Sequence, residues 1–146
     1  MSIEEFVGAG SQRAPVSMYM PKGPSAHCGR VFAVQRTVQG PKTPAAALRA
    51  LLAGPTAAER RAGYGGWFSV KTRATLLGVR VADGVLYANF RNVSRTIPNA
   101  STSCGSQLLL AQLDRTAKRF PYVKRTSYSF AGNRRAFYEW LQRRAP

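Results

Sequence analysis

The stretch TPAAALRALLAGPTAAERRAG, residues 43–63, decides how this chain is read. Thr43 offers a hydroxyl at a helix N-cap, and Pro44 at the first helical position has the backbone angle a helix needs and no amide hydrogen to leave unbonded. Ala45 to Ala53 is rich in strong helix formers, and Gly54-Pro55 stops the run where a C-cap glycine and a following proline belong. Leu48, Leu51 and Leu52 stand at i, i+3 and i+4, so they share one face, which is expected to pack on a sheet. Thr56-Ala57-Ala58-Glu59 then has the form of a capping box, with the Thr hydroxyl reaching forward to an orphan amide and the Glu carboxylate reaching back. A second, short helix ending near Gly63 follows, and Glu59 takes a structural role in it.

On the N-terminal side, Val16 to Met20 predicts a short strand. A loop rich in Pro, Gly and Ser comes next, carrying Cys28, and Arg30 to Val38 predicts a longer strand with apolar alternation. On the C-terminal side, Thr75 to Val81 and Val85 to Phe90 flank Ala82-Asp83-Gly84, a hairpin signal that puts Leu86, Ala88 and Phe90 on one face. A polar stretch leads to Ser103-Cys104, where a long helix begins and runs toward Phe120 before Pro121 ends it. Leu109, Leu113, Thr116, Ala117 and Phe120 form its expected buried face. Val123 to Phe130 predicts a strand, Gly132-Asn133 a turn, and Arg134 to Arg144 a terminal helix. The expected fold class is α+β, a small mixed sheet with helices packed on one face, in a single domain over residues 15–146. Residues 1–14 read as a flexible tail or an expression remnant.

The 22 Lys and Arg residues against 6 Asp and Glu leave a formal charge of +16 on 146 residues. Such a field attracts phosphate-rich polymers, anionic lipids and acidic proteins. Arg115, Lys118 and Arg119 stand at helical spacing on the long helix and point together. With Lys124, Arg125, Arg134 and Arg135, and Arg143 and Arg144 behind them, they are the candidate polyanion-binding surface. A merely solvated basic face is the plainer alternative. Tyr64, Trp67 and Phe68 form a candidate ligand-stacking loop, although such aromatics also cover the edge of a core.

The acids Glu4, Glu5, Glu59, Asp83, Asp114 and Glu139 are scattered over a tail, a helix cap, a turn and two cation-rich helices, so paired-carboxylate hydrolysis is not expected. Gly63 to Gly66 lacks the spacing and the Lys-Ser/Thr ending of a phosphate loop. No cofactor is implied. No apolar run approaches the roughly 18 residues of a membrane span. Met1 to Ala14 is not an intact signal peptide, so the chain is expected to be either cytosolic or stripped of its export signal.

The helix pair of residues 43–63, the strand Leu76-Leu77-Gly78-Val79 with its Asp83-Gly84 turn, and Leu108 to Leu113 ahead of Phe120-Pro121-Tyr122-Val123 resemble the GerMN domain of bacterial sporulation and spore-germination proteins. The most specific part is Ala50-Leu51-Leu52-Ala53-Gly54-Pro55-Thr56 with Glu59 three residues on. The resemblance implies a small α+β module of lipoproteins and secreted proteins, without known catalytic activity and similar to ring-building domains that mediate envelope assembly. It supplies no catalytic residues. Members with a Ser-Thr-Ser-Cys-Gly segment and an earlier Cys form a subset, and Tyr138-Glu139-Trp140-Leu141 resembles their last helix. This chain departs from them in being far more basic.

The two cysteines admit three readings. In a chain resembling exported domains, Cys28 and Cys104 fit one disulfide closing a long loop. Alternatively, Cys104 at the first turn of a helix has a lowered pKa and acts as a nucleophile, with His27, the single histidine, as its base. Zinc is not expected, because two Cys and one His supply three ligands and His27-Cys28 lacks ligand spacing. The reading favoured here is a non-catalytic, extracytoplasmic or secreted binding module, stapled by Cys28–Cys104, whose basic face meets an anionic wall polymer, a membrane surface or an acidic envelope protein. The runner-up is cytoplasmic nucleic-acid binding, carried by the same charge.

Overall fold

In the computed structural model, which describes residues 13–24 and 28–146, helix α1 (Pro44–Leu52) begins and ends at its sequence signals. The Thr43 hydroxyl accepts from the Ala46 amide at 3.1 Å. Gly54 follows the last turn at φ 79°, and an added Cβ would lie 2.5 Å from Ser69 Cα, so both the backbone angle and the space demand glycine. Helix α2 (Ala57–Arg61) has the full capping box, with Glu59 N–H bonded to Thr56 Oγ1 and Thr56 N–H to Glu59 Oε1.

Strands β1 (Arg13–Met20) and β2 (Phe32–Gln39) pair antiparallel, from Arg13 opposite Gln39 to Met20 opposite Phe32. Arg13 and Ala14, counted with the tail above, are thus part of β1. Strands β3 (Leu76–Ala82) and β4 (Val85–Phe90) form the expected hairpin, and Asp83 and Gly84 both take positive φ, 52° and 78°, as a twist-matched two-residue turn requires. After β4 the chain crosses through α3 (Ser103–Lys118) and returns as β5 (Arg125–Phe130), parallel to β4. The strands therefore form two sheets, β1-β2 and a mixed β3-β4-β5. Helix α1 touches both.

The core gathers Val16, Met18 and Met20 of β1, Leu48, Leu51 and Leu52 of α1, Leu86, Ala88 and Phe90 of β4, and Leu109, Leu113 and Ala117 of α3. Tyr128, Phe130, Phe137 and Trp140 interlock beside Phe90, with centroids 5.2–6.0 Å apart. The last helix, α4, spans Arg134–Trp140 and stops four residues before the predicted Arg144. Gln142 turns left-handed at φ 54°, the Arg143 amide bonds back to the Tyr138 carbonyl, and Arg143 Nε reaches Ser106 Oγ on α3 at 2.9 Å. The reversal at Gln142 ends α4, and the Arg143 side chain ties the segment beyond it to α3.

Candidate functional site

Cys28, just ahead of β2, and Cys104, in the first turn of α3, are joined in a disulfide across 76 residues, with Cα atoms 5.0 Å apart. In this state Cys104 is not available as a nucleophile. His27, the proposed base, lies outside the described residues.

The aromatic loop divides. Phe68 is 5% exposed and belongs to the core, so it cannot stack on a ligand. Trp67 is half-buried; its Nε1–H donates to the Gly105 carbonyl at 2.9 Å and its amide to Gln112 Oε1. Tyr64 lies under Lys22, whose Nζ is 5.1 Å from the ring centroid. Phe68 thus takes the core-edge role, and Trp67 ties the loop to α3 through Gly105 and Gln112. Gln112, a fully buried polar residue that the helical pattern concealed, completes the tie by donating to the Tyr19 carbonyl.

The cations are distributed more finely than their clustering in sequence suggests. Lys118, Arg125, Arg143 and Arg144 line one groove between α3, β5 and the C-terminal segment. Arg134, Arg135 and Arg143 line a neighbouring one. Arg115 turns the other way, its guanidinium 4.7 Å over the Tyr19 ring of β1, and Lys124 packs against Gly84 at the hairpin turn. All of the predicted cations are exposed, Arg119 included. The described residues hold two ion pairs, Arg36–Glu59 and Arg135–Glu139, so most of the charge is uncompensated.

Asp114 sits within the first groove yet is bonded to hydroxyls. Tyr128 and Thr126 donate to its Oδ1 at 2.6 and 2.8 Å, tying α3 to β5. Burial, reinforced by the Asp114 charge and by the bond donated to it, pushes the Tyr128 hydroxyl well above the ordinary tyrosine range. Tyr138 is raised as well, mainly by burial, against the opposing effect of the Tyr128 amide that donates to its oxygen.

A third open groove, about 720 Å³, lies on the outer face of β3-β4-β5. It brings Arg125 and Arg134 together with Arg80, a residue not singled out from the sequence. A signal for it existed: the two-residue Asp83-Gly84 turn sets the hairpin register, and that register puts Arg80 opposite Tyr87.

The Germane family, described as sporulation and spore germination, matches residues 17–134. The first GerMN domain of the sporulation protein GerM from Bacillus subtilis superposes with a TM-score of 0.54 at 15% identity, over 83% of this chain and 85% of that one. The tandem GerMN domains of the same protein superpose with a TM-score of 0.53 at 15% identity, over 84% of this chain but 41% of the tandem chain. At this identity the likeness is one of fold. No curated protein matches the sequence.

Proposed function

Because the chain belongs to the sporulation and spore germination family, we propose that it is a non-catalytic binding or assembly module of the bacterial cell envelope, engaging an anionic partner through its basic face. The observation that carries this reading is the run of adjoining grooves lined by Lys118, Arg125, Arg134, Arg135, Arg143 and Arg144, where, among the described residues, Arg135 and Glu139 form the one side-chain ion pair. Uncompensated cations in a concave surface concentrate field toward a polyanion. The Cys28–Cys104 disulfide favours an oxidising, extracytoplasmic compartment, since such bonds persist there and are rare in the cytosol.

Co-sedimentation with purified cell walls and with anionic vesicles, each in competition with DNA of equal charge, tests the reading. The expected result is retention on an envelope component, weakened by salt, with the log–log salt slope falling by roughly one for each of Lys118→Gln, Arg125→Gln and Arg144→Gln. Wild-type chain that stays in the supernatant with every component would sink it, and a clear preference for DNA would move the protein to the cytoplasmic reading.

A further inference from the structure

The outer face of β3-β4-β5 is built to a pattern that diffuse positive charge does not require. Register places Arg80, Tyr87 and Ser127 in one row across the three strands, with Asn89 opposite Ser129 in the next row on one side and Val85 opposite Arg125 on the other. The Arg80 guanidinium lies 4.2 Å over the centroid of Tyr87, which is 38% exposed. At the far end of the row, Arg134 Nε donates to Ser127 Oγ at 2.9 Å, its guanidinium lies 5.8 Å from the Tyr138 ring, and Nη2 donates to the Pro146 oxygen. Arg80 is therefore held in place by a neutral ring and, among the described residues, is in no ion pair, while Arg134 is fixed by a hydroxyl, a ring and the Pro146 oxygen. A planar fork fixed beforehand loses less entropy when it grips an oxyanion than a free one does. Between them the floor is polar: Asn89 accepts from Ser129 Oγ at 3.0 Å and from the Gly132 amide at 2.8 Å, which fixes the orientation of its own amide.

The Arg80 guanidinium, drawn over Tyr87 on β4, and the Arg134 guanidinium, bonded to Ser127 on β5, stand on neighbouring residues of one row. The floor offers hydroxyls and an amide, which suit sugar hydroxyls. The ring in this groove, Tyr87, is covered by Arg80, so the groove offers no open aromatic platform to a base. We propose that this groove is a glycan site, taking an acidic polysaccharide laid across the strands, with Arg80, Arg134 and Arg125 on its acidic groups. Tyr87 acts as a positioning residue for Arg80.

This inference rests on the reading of the basic face as a polyanion-binding surface, and the experiment separates the two. The probes are a hyaluronan decasaccharide, with one carboxylate per disaccharide, and single-stranded DNA of the same total charge, titrated against the oxidised chain by calorimetry. Arg80→Gln is expected to weaken hyaluronan binding about tenfold, the loss of one charge-assisted contact. Tyr87→Ala, which removes no charge, is expected to weaken it several-fold, and Tyr87→Phe to restore it. The double variant Lys118→Gln/Arg144→Gln, in the neighbouring groove, should change it by less than about twofold. Circular dichroism confirms folding of each exposed-site variant. If the Lys118/Arg144 variant loses as much as Arg80→Gln, or Tyr87→Ala binds as wild type does, or DNA binds tighter than hyaluronan, the groove assignment is overturned while the basic-face reading stands. No binding of either probe by the wild type would overturn the groove, and the basic face too if walls and vesicles also fail.

Discussion

Replacing Arg36 by methionine should destabilise the chain more than any other change to a partly exposed cation. The guanidinium donates to the carbonyls of Ala50 and Gly54 at 2.8 and 3.0 Å, and to both carboxylate oxygens of Glu59, at 2.5 and 3.4 Å. One side chain of β2 thus satisfies the orphan Ala50 carbonyl in the last turn of α1 and the Gly54 carbonyl just beyond it, and clamps the capping box of α2. Removing one member of a fully buried ion pair costs about 3–5 kcal/mol, and hydrogen bonds to a charged group contribute about 1.5–3 kcal/mol each. The two side chains here keep 19% and 14% of their surface, so solvent screening lowers the expected loss to about 3 kcal/mol. For a chain of this size that corresponds to a fall of about 6–12 °C in Tm, or a shift of about 1.5 M in the urea midpoint at an m-value near 2 kcal/mol/M. Methionine keeps the straight stem and removes the fork. Arg36→Lys retains the charge without the fork and should recover less than half. A double-mutant cycle with Glu59→Gln, read by urea unfolding of the oxidised protein, should return a coupling of about 1 kcal/mol. A loss below about 1 kcal/mol for Arg36→Met, or full stability in Arg36→Lys, would refute the clamp.

Reducing the Cys28–Cys104 bond, or replacing both residues by serine, should cost about 4–5 kcal/mol by the loop-entropy relation for a separation of 76 residues, measured as the difference between urea curves with and without reductant. Coincident curves would show that the bond contributes nothing. Alkaline stability should decline from near pH 10.0, the ordinary tyrosine value: the unfolded tyrosines ionise there while Tyr128 and Tyr138 stay neutral in the fold, so the folded state holds more protons and stability present below that pH is lost as pH rises. Tyr128→Phe should flatten this decline in a pH series of urea midpoints while costing about 1–2 kcal/mol at neutral pH for the lost bond to Asp114. An unchanged alkaline slope in that variant would rule out Tyr128 as its source.

What could be read from residues alone was whatever contacts within about one helical turn decide. Thr43, Pro44 and Gly54 delimit α1, Thr56 and Glu59 cap α2, and Asp83-Gly84 makes the β3–β4 turn, because each of these acts on backbone groups a few residues away. The inward faces of β4 and α3 were legible for the same reason: periodicities of 2 and 3.6 are properties of the local chain. The resemblance in residues 43–63 pointed to the family for the same segment whose caps are strongest.

Tertiary structure decided the rest. That β1 and β2 form a sheet apart and that β5 lies parallel to β4 depend on pairings between segments far apart in the chain, whose energies no window of sequence contains. Phe68 went into the core because the loop folds over α3, and aromatic character alone does not distinguish a platform from a plug. The predicted cations were identifiable as a set from net charge, which is additive over residues. Their partition into grooves, with Arg115 turned over Tyr19 and Arg80 brought beside Arg125 and Arg134, was not, because surface geometry arises only when distant strands and helices pack and a long flexible side chain takes its direction from the neighbours that packing supplies.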